Sequence, residues 1–284
     1  MAEIVSDFLR KTIKLFKERN VFEPEVSAER IFSHITGMKR ADIYSANKML
    51  LYEPQIRSIK AALQRRINGE PVAYITGECE FYNVKLKIDS RVLVPRPETE
   101  VLVDEIIKRI KTADNNIYGL DIGTGSGNIA ISLAANLKNV EIIATDINDS
   151  IIELAKENAV LNSVKEKIEF RTGELFTSLD DCKSKFDFIV SNPPYVGESE
   201  KKGLPVEVIK YEPKHALFAG EEGLDLIKMI IDQAPGYLRD SGFLALEIGY
   251  KQSTAVKDLM IKSFEKIELI KDLAKHDRII IGTL

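Results

Sequence analysis

The stretch Leu120-Asp121-Ile122-Gly123-Thr124-Gly125-Ser126-Gly127-Asn128 decides how the chain is read. A short apolar run enters alternating glycines and leaves into a helical pattern over residues 128–137, so a strand, a tight turn and a helix follow one another. Glycine lets the backbone turn sharply there and brings amide N–H groups against a ligand at the helix N-terminus. A dinucleotide fingerprint, G-x-G-x-x-G, needs glycine or alanine at position 128, where Asn128 stands. The spacing is G-x-G-x-G behind an acidic residue, and a nicotinamide dehydrogenase becomes the outside reading.

Working outward, strands are predicted over residues 119–122, 141–146, 167–171, 187–191 and 242–248, separated by helices over 128–137, 150–162 and 223–238. That alternation implies a mostly parallel sheet covered by helices on both faces. Two last strands, 266–269 and 278–282, are separated by eight residues, too few for a crossover, so an antiparallel pair is expected at the sheet edge. The fold class is therefore α/β, with seven strands and an antiparallel edge strand, over residues 95–284.

Upstream the periodicity is helical. Val5, Phe8, Leu9, Ile13 and Phe16 share one face, as do Ile56, Ile59, Leu63 and Ile67, and Pro24, Gly37, Pro54, Gly69 and Pro71 punctuate the segment. A helical domain over 1–75 is expected, then a β-hairpin linker over 76–94, where Val84, Leu86 and Ile88 alternate. Arg57, Lys60, Arg65 and Arg66 form a basic cluster on the last helix of that domain, read as a solvated face or as a docking surface for an RNA-rich partner.

Composition sets outer limits. With 284 residues, 40 basic and 44 acidic, the net charge is −4, and 44% hydrophobic content argues for folded domains rather than disorder. Two cysteines, Cys79 and Cys182, supply neither a disulfide framework nor a zinc pattern, which fits a cytoplasmic protein. No apolar stretch spans a bilayer, no membrane partner is expected, and His34, His215 and His276 show no metal-ligand spacing. Residues 1–80 hold 13 basic and 11 acidic side chains, so the slight positive balance lies in the helical domain and the rest of the chain is acidic. A broad nucleic-acid surface is disfavoured.

Two features carry chemistry. The second strand ends at Asp146, next to the glycine turn, where a carboxylate can accept both hydroxyls of a ribose. The fourth strand ends in Asn192-Pro193-Pro194-Tyr195. Two prolines remove two N–H donors and leave the Asn192 and Pro193 carbonyls to face a ligand. Asn192 adds a side-chain acceptor and Tyr195 a flat ring, which together suit a planar NH2 group.

These residues resemble the class I S-adenosylmethionine-dependent methyltransferases, and more specifically the HemK/PrmC family, the N5-glutamine methyltransferases of peptide chain release factors. The resemblance extends over nearly the whole chain. It includes Gly69-Glu-Pro-Val-Ala-Tyr-Ile-Thr-Gly77, Val92-Leu-Val-Pro-Arg-Pro-Glu-Thr-Glu100, Tyr211-Glu-Pro-Lys-His-Ala-Leu-Phe-Ala-Gly-Glu-Glu-Gly-Leu-Asp225 and Leu246-Glu-Ile-Gly249. It implies a Rossmann-like domain binding S-adenosylmethionine and releasing S-adenosylhomocysteine. Gly123, Thr124, Gly125, Ser126 and Gly127 then cradle the methionine part, Asp146 holds the ribose, Leu175 flanks the adenine where many relatives carry an aromatic, and Asn192 also touches the cofactor. Asn192, Pro193, Pro194 and Tyr195 receive the glutamine, with Asn192, Pro193 and Tyr195 as the catalytic set. The implied partners are class I release factors, bound by a monomer whose helical domain recognises the substrate. Lys275 stands where relatives carry glycine, and Arg96, Glu98 and Glu100 are read either as a cofactor mouth or as ion pairs at a helix start. A nucleic-acid amine methyltransferase is the alternative, and a regulator without catalysis a more distant one.

Overall fold

The structure is a computed structural model that describes residues 3–46, 48–110, 115–182 and 185–284. It divides into two compact units, Met1–Glu78 with Pro205–Tyr211, and Cys79–Leu204 with Glu212–Leu284.

The first unit is built on helices Val5–Glu18, Pro24–Thr36 and Glu53–Ile67, with shorter ones at Arg40–Ser45 and Val72–Thr76. Apolar residues at helical spacing give each long helix one face to bury, and Leu9, Phe16, Ile31, Phe32 and Ile59 form the centre of a single core. Folding withdraws one member of the basic cluster, Arg66, from the surface. Arg66 falls seven residues after Ile59 and three after Leu63, on the apolar face, and is buried. Arg57, Lys60 and Arg65 stay exposed, Arg65 paired with Glu70 at 2.6 Å. The helix Val206–Tyr211 also belongs to this unit, although residues 79–204 of the other unit precede it in the chain. Its Glu207 meets Arg66 at 2.6 Å, and the Tyr211 hydroxyl donates to the Asn68 carbonyl at 3.1 Å.

The second unit contains the sheet. Its strands are β1 (Ile117–Ile122), β2 (Val140–Asp146), β3 (Ile168–Thr172), β4 (Phe186–Ser191), β5 (Leu238–Glu247), β6 (Lys266–Lys271) and β7 (Asp277–Thr283). The spatial order is β6-β7-β5-β4-β1-β2-β3, and β7 alone runs antiparallel to its neighbours. The seven-stranded, mostly parallel sheet is therefore present, with the antiparallel strand one place in from the edge and β6 outermost. A short turn explains the arrangement. The Lys275 N–H donates to the Asp272 carbonyl, and Lys275 itself takes φ +67°, the left-handed conformation for which glycine is the usual residue. The helix predicted over 223–238 stops earlier, at Asp225–Gln233, because Pro235 cannot continue it, and β5 starts at Leu238.

Central strands β1 and β4 are covered on both faces, which accounts for their nearly continuous apolar runs. The hairpin strands Glu78–Phe81 and Val84–Lys87 bury Val84 and Leu86 and expose Lys85 and Lys87. Among the described residues no helix is long and apolar enough to cross a membrane.

Candidate active site

Strand register brings the functional residues together. Ile122 on β1 lies opposite Thr145 on β2 and Ser191 on β4, so Gly123, Asp146 and Asn192 leave three adjacent strands at one level. The chain passes to one side of β1 to form β2 and to the other to form β4. Such a reversal leaves a crevice beyond the carboxyl ends of the strands, where open α/β sheets bind ligands. A cavity of about 280 Å³ lies there. Gly123, Thr124, Gly125, Ser126, Asp146 and Leu175 line it, as do Asn192, Pro193 and Pro194.

Gly127 and Tyr195 are not among its walls. Gly127 backs onto the Ile131 side chain. Tyr195 packs against the core of the sheet, and its hydroxyl donates to Glu247 Oε1 at 3.2 Å. The hydroxyl thus anchors the residue whose flat face the sequence reading places against the ligand. The Tyr195 carbonyl is gripped from behind by Gln252 Nε2 at 2.9 Å, and a Cβ on Gly223 would stand 2.1 Å from that carbonyl oxygen. This close approach is the physical reason for a glycine before Leu224 and Asp225.

The electrostatics are those of buried carboxylates. Asp146 is nearly wholly buried, which pushes its carboxyl above the usual range. N–H groups of Gly125, Ile147 and Asn148 oppose that shift, the first at 3.0 Å from Oδ2. Asp121 is pushed up to about 7 by burial, although Thr124 Oγ1 donates to it at 2.7 Å and the Ala130 N–H at 3.3 Å. Asn158, also wholly buried, ties the glycine loop down, donating to the Ser126 carbonyl at 2.9 Å and accepting from the Lys87 N–H at 2.7 Å.

Four residues of the site were not singled out by the sequence reading as working parts. Thr99 lines the cavity and accepts from Asn192 Nδ2 at 3.1 Å, while donating to Glu247 Oε2 at 2.6 Å. Glu247 ends β5, is wholly buried, and burial raises its pKa. His215 lines the cavity. Glu212 receives both hydrogen bonds of an Arg96 nitrogen at 2.7 and 2.8 Å, so Arg96 is at once a cavity wall and an ion pair. Glu100 accepts from the Tyr82 N–H, and Glu98 is exposed. All four stand inside quoted motifs, Thr99 in Val92–Glu100, Glu212 and His215 in Tyr211–Asp225 and Glu247 in Leu246–Gly249, which was the available signal.

This sheet order, with a glycine turn, an acidic strand tip and an Asn-Pro-Pro-Tyr exit at its reversal point, defines a class I methyltransferase. The chain matches the PrmC N-terminal domain over residues 7–77 and the methyltransferase small domain over residues 97–221. The release factor glutamine methyltransferase of Thermodesulfovibrio yellowstonii is 39% identical over 89% of this chain and 90% of its own. That of Chlorobaculum tepidum is 36% identical over 96% of this chain and 95% of its own. Among solved structures, the hMettl16 catalytic domain in complex with MAT2A 3′UTR hairpin 6 superposes with a TM-score of 0.58 at 20% identity, covering 82% of this chain and 84% of that one. A methyltransferase from Pyrococcus furiosus gives 0.51 at 18%, covering 82% and 98%; both likenesses are of fold. The chain belongs to the release factor glutamine methyltransferase family.

Proposed function

We propose that this protein transfers a methyl group from S-adenosylmethionine to the side-chain nitrogen N5 of the glutamine in the Gly-Gly-Gln motif of class I peptide chain release factors. The observation that carries the reading is the meeting, on one cavity, of the glycine turn and Asp146 with Asn192 and Pro193. The names of relatives at 36 to 39% identity support the substrate.

The residues present fit the cofactor. A Cβ placed on Gly123 or Gly125 would meet nothing within 4 Å, so both glycines leave open space above their backbone. Those two, with Thr124 and Ser126, would hold the methionine part, Asp146 the ribose hydroxyls, and Leu175 the adenine. When bound, S-adenosylmethionine supplies a methyl carbon made electrophilic by its sulfonium.

An amide nitrogen is a poor nucleophile because its lone pair is delocalised into the carbonyl. Removing a proton beforehand would be costly, so the protein's contribution is orientation. Asn192 Oδ1 and the Pro193 carbonyl accept the two amide hydrogens, aim the nitrogen and let it pyramidalise, and after transfer one of these hydrogens passes as a proton to solvent water. Orientation of this kind supplies several kcal/mol, roughly 7–11 at the extreme. The helical unit grips the release factor, and the protein acts in the cytoplasm as a monomer without a nucleic-acid substrate.

The test is incubation of labelled S-adenosylmethionine with purified release factor, followed by mass mapping, for the wild type and Asn192→Ala. Label should appear on the glutamine, and the variant should lose roughly a hundredfold in kcat with cofactor affinity less affected. Wild-type turnover by Asn192→Ala, or label on nucleic acid, overturns the reading.

A further inference from the structure

A carboxamide has a donor end and an acceptor end of nearly the same shape, and only the acceptor end of Asn192 can receive a hydrogen from a substrate amide. Something must decide which end faces the cavity. Glu247 is wholly buried at the end of β5, and each of its two carboxyl oxygens meets one hydroxyl. Thr99 donates to Oε2 at 2.6 Å and Tyr195 to Oε1 at 3.2 Å. Thr99, buried and with its one hydrogen committed, can only accept from its remaining neighbour. That neighbour is Asn192 Nδ2, at 3.1 Å. Oδ1 is left for the cavity.

We infer that Thr99 and Glu247 are positioning residues that set the polarity of the Asn192 carboxamide, so that the site accepts a hydrogen-bearing nitrogen and turns away a carboxylate. The inference deepens the function proposed above and rests on it for the identity of the substrate. Its geometry is independent of that identity. The same carboxylate holds Tyr195 from the other side, so one buried group orders both ends of the Asn-Pro-Pro-Tyr segment.

The experiment compares Thr99→Val, which deletes the hydroxyl, with Thr99→Ser, which keeps it. Glu247→Gln is the second variant, since its carboxamide has only one oxygen for two hydroxyls. Two readouts are taken on the full chain: kcat and KM with release factor, and NMR hydrogen exchange of the Asn192 side-chain NH2 without substrate, assigned by its absence in Asn192→Ala. Thr99→Val should lower kcat roughly tenfold, with KM for S-adenosylmethionine unchanged, and should speed exchange of the Asn192 NH2 by a similar factor. Thr99→Ser should restore both, and Glu247→Gln should shift both in the same direction as Thr99→Val. Protection that is equal in Thr99→Val and wild type overturns the inference, as does loss of kcat in Thr99→Val that Thr99→Ser does not restore. If wild-type protein leaves release factor unmethylated, the substrate reading falls, while the exchange measurements still decide the role of Thr99.

Discussion

Each unit buries charge, and the two do it by opposite means. In the helical unit all three guanidinium nitrogens of Arg66 are engaged. Nη1 donates to Glu207 at 2.6 Å and to the Glu70 carbonyl at 3.0 Å, Nη2 to the Phe22 carbonyl at 3.0 Å, and Nε to Ser27 Oγ at 3.1 Å. In the methyltransferase unit Asp121 is just as deeply buried, yet its Oδ1 has no hydrogen-bond partner among the described residues. Burial pushes that carboxyl up to about 7. A saturated charge acts as an anchor. A charge left short of partners drifts toward neutrality, which is a common property of groups beside working sites. The contrast separates a saturated buried charge from one left short of a partner, and it can be broken at either end.

The largest expected effect is on the anchor. Arg66→Met keeps much of the apolar stem but removes every donor, leaving the Phe22 and Glu70 carbonyls unmatched and Glu207 without its cation. Loss of one member of such a buried network costs about 3 kcal/mol. Urea unfolding should show that loss, and an unchanged midpoint would mean that saturation does not indicate a structural role.

Asp121→Asn comes next. The folded pKa of Asp121 lies near 7, above the unfolded value of about 3.9, so between those limits the folded protein holds a proton that the unfolded chain has released. Stability from this group is present below about pH 4, declines as the pH rises, and is lost above about pH 7, with a slope of at most about 1.4 kcal/mol per pH unit. The asparagine variant should lack that slope. Urea unfolding measured below, within and above the window tests it, and parallel pH profiles for the two proteins would show that Asp121 is ionised throughout.

What was legible in the sequence follows the same division. The glycine turn, Asp146 and Asn-Pro-Pro-Tyr could be read because each constrains its own backbone or ends its own strand, so a few neighbouring residues carry the information. The positioning residues could not. Thr99 lies 93 positions from Asn192 and 148 from Glu247, and nothing local marks it as the link between them. The alternation of helices and strands gave the parallel sheet, whereas the insertion of β7 between β5 and β6 depends on pairing that no single strand specifies. Arg66 was half legible. Its spacing from Ile59 and Leu63 puts it on the buried face, but its partner Glu207 comes from a segment 141 residues away, and without that partner a surface cluster was the simpler reading.

The smallest effect on stability is expected at Gly125, and it sharpens the contrast from the cavity side. Gly125 sits at φ +54°, so alanine pays a backbone penalty of about 1–2 kcal/mol, but a Cβ there meets no atom within 4 Å. No packing cost is added to the backbone one, unlike Gly223, where the new carbon would strike the Tyr195 carbonyl. Gly125→Ala should therefore fold. The methyl group projects over the turn that is to cradle the methionine part of S-adenosylmethionine, so cofactor affinity should fall by at least about tenfold, the equivalent of about 1.4 kcal/mol. Calorimetric titration of S-adenosylmethionine into both proteins, set beside their urea midpoints, reads the two effects separately. A variant that binds the cofactor as tightly as wild type would show that the open space above Gly125 is not where the cofactor lies, and the glycine turn would then be a device of folding alone.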